Sequence, residues 1–144
     1  MTPYKKTFSC VQAALVEARD FVRQYARDVG FPENDVFDIV LAVGEACTNA
    51  VLYAATDNGF WVACDYNDGV LTVHVHDFGS GFSLEERGRA IESQVRKSGG
   101  LGINVMRVLM DEVTCEVSDD GTTVRLMKRL KGSLATRGRL KLLS

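Results

Sequence analysis

A chain of 144 residues with 46% hydrophobic and 25% charged side chains has the make-up of one globular domain, able to bury about two-thirds of its unfolded surface. No apolar run of about 18 residues marks a membrane span, and Met1-Thr2-Pro3-Tyr4-Lys5-Lys6 is not followed by the apolar stretch of a signal peptide, so the expected location is the cytoplasm. The net charge of −2 hides an asymmetry: residues 128–144 carry Lys128, Arg129, Lys131, Arg137, Arg139 and Lys141 and no acidic residue, leaving 11 basic against 19 acidic groups elsewhere.

Taken in chain order, Tyr4 to Phe8 reads as a short opening strand. Ser9 offers an N-cap for a helix over roughly 10–29, whose apolar positions Ala14, Leu15, Ala18, Phe21, Val22 and Tyr25 recur at helical spacing. Gly30 suits its left-handed end. A second helix follows Pro32, from about Glu33 to Ala54, with Phe37, Val40, Leu41, Gly44, Thr48 and Val51 as its mostly apolar face. After a turn at 55–59, strands near 60–66 and 70–77 flank Asn67-Asp68-Gly69, a strong hairpin signal. A helix near 84–93, a Gly-bearing loop at 94–100 and a helix over 101–110 come next, the last with Leu101, Val105, Val108 and Leu109 as its core stripe. Strands near 112–118 and 122–129, turned at Asp119-Asp120-Gly121, complete the pattern. Helices on one face of a mostly antiparallel sheet make an α+β two-layer sandwich. The domain is expected over 1–131, with 132–144 as a solvated basic tail not expected to bind nucleic acid directly. The scattered Cys10, Cys47, Cys64 and Cys115 form no C-x-x-C pair and read as small buried hydrophobes of a reducing compartment.

Three stretches carry chemistry. Glu45 and Asn49 lie four apart on the second helix, among the small residues Ala42, Gly44, Ala46 and Ala50. The carboxamide oxygen of Asn49 is a hard donor suited to Mg²⁺, and Glu45 is a candidate proton acceptor. In Val73-His74-Val75-His76-Asp77-Phe78-Gly79-Ser80-Gly81, alternation puts Val73, Val75 and Asp77 on the face the helices should cover. A buried carboxylate needs a donor, and an adenine amino group is one; Gly79 and Gly81 let the backbone approach a flat base. Ser98-Gly99-Gly100-Leu101-Gly102 opens a helix, where free N–H groups hold phosphate oxygens, with Arg96 and Lys97 just before it to add charge pairing. Alone, each stretch also fits a plainer reading: a surface Glu beside a hydrogen-bonded Asn, an ordinary turn, a glycine-rich cap. Their order supplies base and metal ligand, then nucleobase, then phosphates. His74 and His76 share the outer sheet face and would need a third ligand to hold a metal; Phe60, Trp61 and Tyr66 read as packing.

Glu45-x-x-x-Asn49-Ala50, Asp77-x-Gly79-x-Gly81 and Gly99-Gly100-Leu101-Gly102 resemble the N, G1 and G2 boxes of the GHKL ATPases, the superfamily of gyrase, Hsp90, histidine kinases and anti-sigma kinases. The resemblance spans most of residues 5–130. Leu41-Ala42-Val43-Gly44-Glu45-Ala46, Leu109-Met110-Asp111-Glu112-Val113 and the short gap from Asp77 to Gly100 are similar to the anti-sigma factor serine/threonine kinase branch. The resemblance implies a Bergerat-type fold binding ATP and Mg²⁺, with Glu45 as general base and Asn49 as metal ligand. Asp77 would take the adenine, Gly79 and Gly81 would shape its site, and Gly100 and Gly102 would cradle phosphates. It further implies a likeness in partners: a sigma factor, a STAS-type anti-anti-sigma protein as phosphoryl acceptor, and a second copy in a homodimer. Tyr53 stands where the family usually has His, which predicts different packing beneath the base. The competing readings are a non-catalytic nucleotide-binding module that sequesters a protein, and a histidine-kinase-type catalytic domain. A gyrase- or Hsp90-like hydrolase is a more distant alternative.

Overall fold

The computed structural model describes residues 4–53, 58–79 and 101–132. Within them the elements run β1 (Tyr4–Phe8), α1 (Ala13–Val29), α2 (Glu33–Tyr53), β2 (Phe60–Asn67), β3 (Val70–Asp77), α3 (Leu101–Leu109), β4 (Glu112–Ser118) and β5 (Gly121–Arg129). The strands form one sheet in the order β1-β2-β3-β5-β4, every neighbouring pair antiparallel. Alternation decides which face is covered. Phe60, Val62 and Cys64 of β2, Leu71, Val73 and Val75 of β3, and Leu126 of β5 all point one way and are almost fully buried, each large apolar side chain contributing about 1.5–3 kcal/mol. The helices pack on that face, and the expected α+β two-layer sandwich stands. Among the described residues no helix is long and apolar enough to cross a membrane.

The β2–β3 hairpin turns as its sequence requires. Asp68 and Gly69 hold φ of 52° and 78°, the left-handed pair of a two-residue turn whose twist matches the strands. Helix α1 buries Ala14, Leu15, Ala18, Val22, Tyr25 and Ala26. It ends at Gly30, φ 107°, where the Gly30 N–H donates to the Arg27 carbonyl at 3.0 Å and the Phe31 N–H to the Ala26 carbonyl at 3.1 Å, closing the last turn. Its start differs from expectation. Ser9 is not the N-cap: the helix begins at Ala13 behind Gln12, which makes no side-chain cap bond, and the Ser9 carbonyl instead accepts the Val11 N–H at 2.9 Å. A tight turn spends the residues that the sequence assigned to the first helical turn.

Helices α2 and α3 are both rotated from their expected faces. On α2 the seam is Val36, Ile39, Val40, Val43, Ala46, Cys47 and Ala50, whereas Phe37 is 67% and Leu41 42% exposed. On α3 Met106 takes the core, with Leu109 packed beside it and Met110 buried just past the helix end, and Val108 is 82% exposed. Both helices carry apolar side chains around most of their circumference, so spacing alone offers several stripes, and the sheet selects the one that fits. The cysteine reading is also half corrected. Cys47 and Cys64 are buried, and burial pushes both thiols up to about 12; Cys10 is half-buried, and Cys115 is exposed on edge strand β4, most of whose side chains are exposed. The expected helix at 84–93, the loop at 94–100 and the tail beyond 132 lie outside the described residues.

Candidate functional site

Asp77 is the last residue of β3, the middle strand of the five. It pairs with Phe60 of β2 and Thr122 of β5, and its side chain is on the covered face, 9% exposed, as alternation predicts. Its Oδ1 accepts the Gly79 N–H at 3.0 Å. That bond folds the chain back as it leaves the sheet and holds Gly79 in the interior. The carbonyl of Asp77 is pressed against β5: a Cβ on Gly121, φ 155°, would sit 1.7 Å from the Asp77 oxygen. Only glycine permits this approach.

Glu45 and Asn49 lie half-buried on one flank of α2, one turn apart as their spacing predicts. Gly44 marks the other flank, since its Cα faces the Arg19 side chain of α1, with a would-be Cβ 3.5 Å from Cδ. Glu45 is turned about 100° from Gly44 and Asn49 further still, which directs both away from α1. The small residues around them divide accordingly. Ala42, Ala46 and Ala50 are buried against the fold, while Gly44 accommodates Arg19 and belongs to the helix–helix contact rather than to a ligand wall. Thr48, on the outward side, bonds its own helix, Oγ1 donating to the Gly44 carbonyl at 2.8 Å. Helix α2 packs against β3, β5 and α3, so the helix bearing Glu45 and Asn49 rests on the strand that ends in Asp77.

Leu101 and Gly102 form the first turn of α3. Gly81, Arg96, Lys97, Gly99 and Gly100 lie outside the described residues. No group of three or more His, Cys, Asp or Glu side chains able to hold a metal occurs among the described residues. A lone carboxamide such as that of Asn49 would suit an ion like Mg²⁺, which takes few protein ligands.

Two residues near Asp77 escape a reading of the sequence alone. Thr122 is buried at 3% directly across from Asp77; the available signal is its alternation with Val124 and Leu126 on the covered face. His76 is the greater surprise. It is on the outer face, as expected, yet only 5% exposed, because its ring stacks on Trp61 at 4.9 Å and meets the Phe78 edge at 4.7 Å. Its Nδ1 is 2.7 Å from Thr123 Oγ1. It is thus packed rather than a surface histidine, and His74, half-buried beside Arg125, completes no metal group with it.

Comparison with known proteins agrees with this fold. The model of the histidine kinase-like ATPase domain matches residues 8–128. The chain is 33% identical over 123 residues to the serine-protein kinase RsbW of Bacillus velezensis, covering 78% of this chain and 76% of that one. Against RsbW of Bacillus subtilis the identity is 32% over 117 residues, covering 74% and 72%. The crystal structure of the RsbU and RsbW domains of Rv1364c from Mycobacterium tuberculosis is similar with a TM-score of 0.70 and 25% identity, covering 90% of this chain and 33% of the longer one. A chain of the SiaB–SiaC complex from Pseudomonas aeruginosa shares the fold, with a TM-score of 0.60, 15% identity and 88% of each chain covered. The chain belongs to the histidine kinase-like ATPase domain family, in the branch whose members are ATP-dependent serine-protein kinases.

Proposed function

We propose that this protein is a cytoplasmic anti-sigma factor kinase that uses Mg-ATP to phosphorylate a serine or threonine of a STAS-type anti-anti-sigma protein. In this reading it also holds a sigma factor and works as a homodimer. The observation that carries the proposal is the pairing of a half-buried Glu45–Asn49 flank on α2 with a buried Asp77 at the end of the strand beneath it. Asp77 accepts the adenine amino group, and the Gly79 N–H on its Oδ1 fixes the direction of the carboxylate. Asn49 holds Mg²⁺, which when bound offsets phosphate charge. Gly81 shapes the base site, Arg96 and Lys97 add positive charge at the phosphates, and backbone N–H groups of Gly99 and Gly100, together with Leu101 and Gly102 in the first turn of α3, bind phosphate oxygens. Glu45 takes the proton from the acceptor hydroxyl as its oxygen attacks the terminal phosphorus and the bond to the bridging oxygen breaks, so that positioning and charge neutralisation provide most of the acceleration.

The outward face of α2 supports a protein as the acceptor. Phe37, Leu41 and Leu52 are all exposed there beside Glu45, and exposed apolar side chains in one stripe favour a protein partner. The test is Glu45→Ala, assayed with labelled ATP and the antagonist and titrated with ADP in parallel. The expected result is unchanged nucleotide affinity and a rate of transfer lower by about 10²–10⁴-fold. Loss of nucleotide binding in that variant refutes the role given to Glu45. Absence of transfer by the unmodified protein points instead to the non-catalytic sequestering module.

A further inference from the structure

We propose that His76 is a positioning residue for base recognition: clamped on the sheet's outer face, it sets the direction of Asp77 and so the preference for adenine over guanine. The inference rests on the assignment of Asp77 as the adenine acceptor and goes beyond it.

The β3–β5 ladder ends at the Asp77–Thr122 pair. Phe78 and Gly79 follow with no strand partner in that ladder, yet Gly79 is the residue whose N–H orients the Asp77 carboxylate. Besides the Gly79–Asp77 bond and the Gly121 approach, His76 makes contacts that hold this exit from the outer face. Its ring stacks on Trp61 of β2, with 21° between planes and 4.9 Å between centres. On another side it meets Phe78 nearly at right angles, at 4.7 Å, the edge-to-face geometry that aromatic rings prefer. Nδ1 lies 2.7 Å from Thr123 Oγ1 on β5, and Nε2 lies 4.0 Å from Asp120 Oδ2 in the β4–β5 turn. The same turn delivers Gly121 against the Asp77 carbonyl, where the position of a would-be Cβ is 3.2 Å from His76 Cε1. One imidazole therefore touches β2, β5, the β4–β5 turn and the residue just after Asp77.

These contacts fall on both sides of the peptide units that carry the carboxylate. Phe78 is pinned from the outer face by His76, while Asp77 and Gly79 are buried on the inner one. If the ring is removed, Phe78 loses this contact and the 77–79 backbone gains freedom. Adenine presents an amino donor to a carboxylate and guanine a carbonyl at the same place, so a fixed carboxylate attracts one base and repels the other. A loosened carboxylate discriminates less, while phosphate contacts elsewhere are untouched.

The experiment measures the dissociation constants of ADP and GDP in magnesium buffer, by calorimetry and competition. It uses the full chain as wild type, His76→Ala, His76→Phe, Thr123→Val and Asp77→Asn. The expected result for His76→Ala is a fall of about tenfold in the ADP-to-GDP preference, the size of one displaced hydrogen bond to a charged group, with GDP affinity unchanged. His76→Phe keeps the stack and restores the larger part of the preference, and Thr123→Val lowers it by a smaller factor. A change in both affinities together, or in thermal stability alone, overturns the proposal. So does a collapse of the preference in Asp77→Asn with none in the His76 and Thr123 variants, which leaves the assignment of Asp77 standing. If Asp77→Asn itself keeps the full preference, that assignment falls and the proposal with it. Should His76→Ala fail to fold, His76→Phe and Thr123→Val decide.

Discussion

The two parts of the candidate site are built by different means. At the strand end, Asp77 is held by backbone: its carbonyl lies against Gly121, its carboxylate takes the Gly79 N–H, and Thr122 faces it across the ladder. On the helix flank, Glu45 and Asn49 are half-buried side chains on a scaffold fixed by other residues, since Val43, Ala46, Cys47 and Ala50 dock α2 whatever stands at positions 45 and 49. Recognition and folding share atoms at the first end and are separable at the second. Strand-end substitutions should therefore cost stability and binding together, whereas substitutions on α2 should split the two.

Gly121→Ala probes the strand end with the largest expected effect on stability. The new methyl would overlap the Asp77 carbonyl oxygen, main chain that cannot swing aside, at a φ of 155° that side chains rarely adopt. We expect a loss of about 3 kcal/mol, a fall in Tm of about 10 °C, together with weaker ADP binding. A variant with wild-type Tm breaks the claim that folding and recognition share this contact. Gly44→Ala makes the opposite case on α2. Its methyl would meet only the flexible Arg19 side chain at 3.5 Å, and alanine is the better helix former, so a gain of about 0.5–1 kcal/mol is expected. A destabilised Gly44→Ala would mean that the α1–α2 contact is as tight as the strand end.

The same contrast explains what the sequence conveys. The hairpin at Asp68-Gly69, the cap at Gly30 and the inward side chain of Asp77 follow from local rules, because turn conformation and strand alternation depend on neighbours a few residues away. The helix faces do not. In Phe37-Asp38-Ile39-Val40-Leu41-Ala42-Val43 nearly every position is apolar, and the choice of Ile39 and Val43 over Phe37 and Leu41 is made by the sheet. Nor could His76 be read, since its burial depends on register: Trp61 stands opposite it on β2 and Thr123 on β5, residues 15 and 47 positions away in the chain. The Glu45–Asn49 spacing is legible because both residues lie on a single helix.

The smallest expected effect asks whether the outer face of β3 away from the site also bears on stability. His74 stands two residues before His76, opposite Arg125 of β5 and Ala63 of β2. Burial and the Arg125 charge hold its imidazole below the usual range, and Asp65 and Glu116 oppose them only in part. The folded chain thus binds this proton less readily than the unfolded one, so the cost is absent well above the unfolded value of about 6.5 and grows as the pH falls through it toward the lower folded value. His74→Gln removes the titration. Its Tm should match that of the wild type at pH 8 and fall less between pH 7 and pH 5, by a degree or two because the site is only half-buried. Equal slopes in scanning calorimetry would place His74 outside the packed region and confine the shared-atom behaviour of β3 to its last two residues.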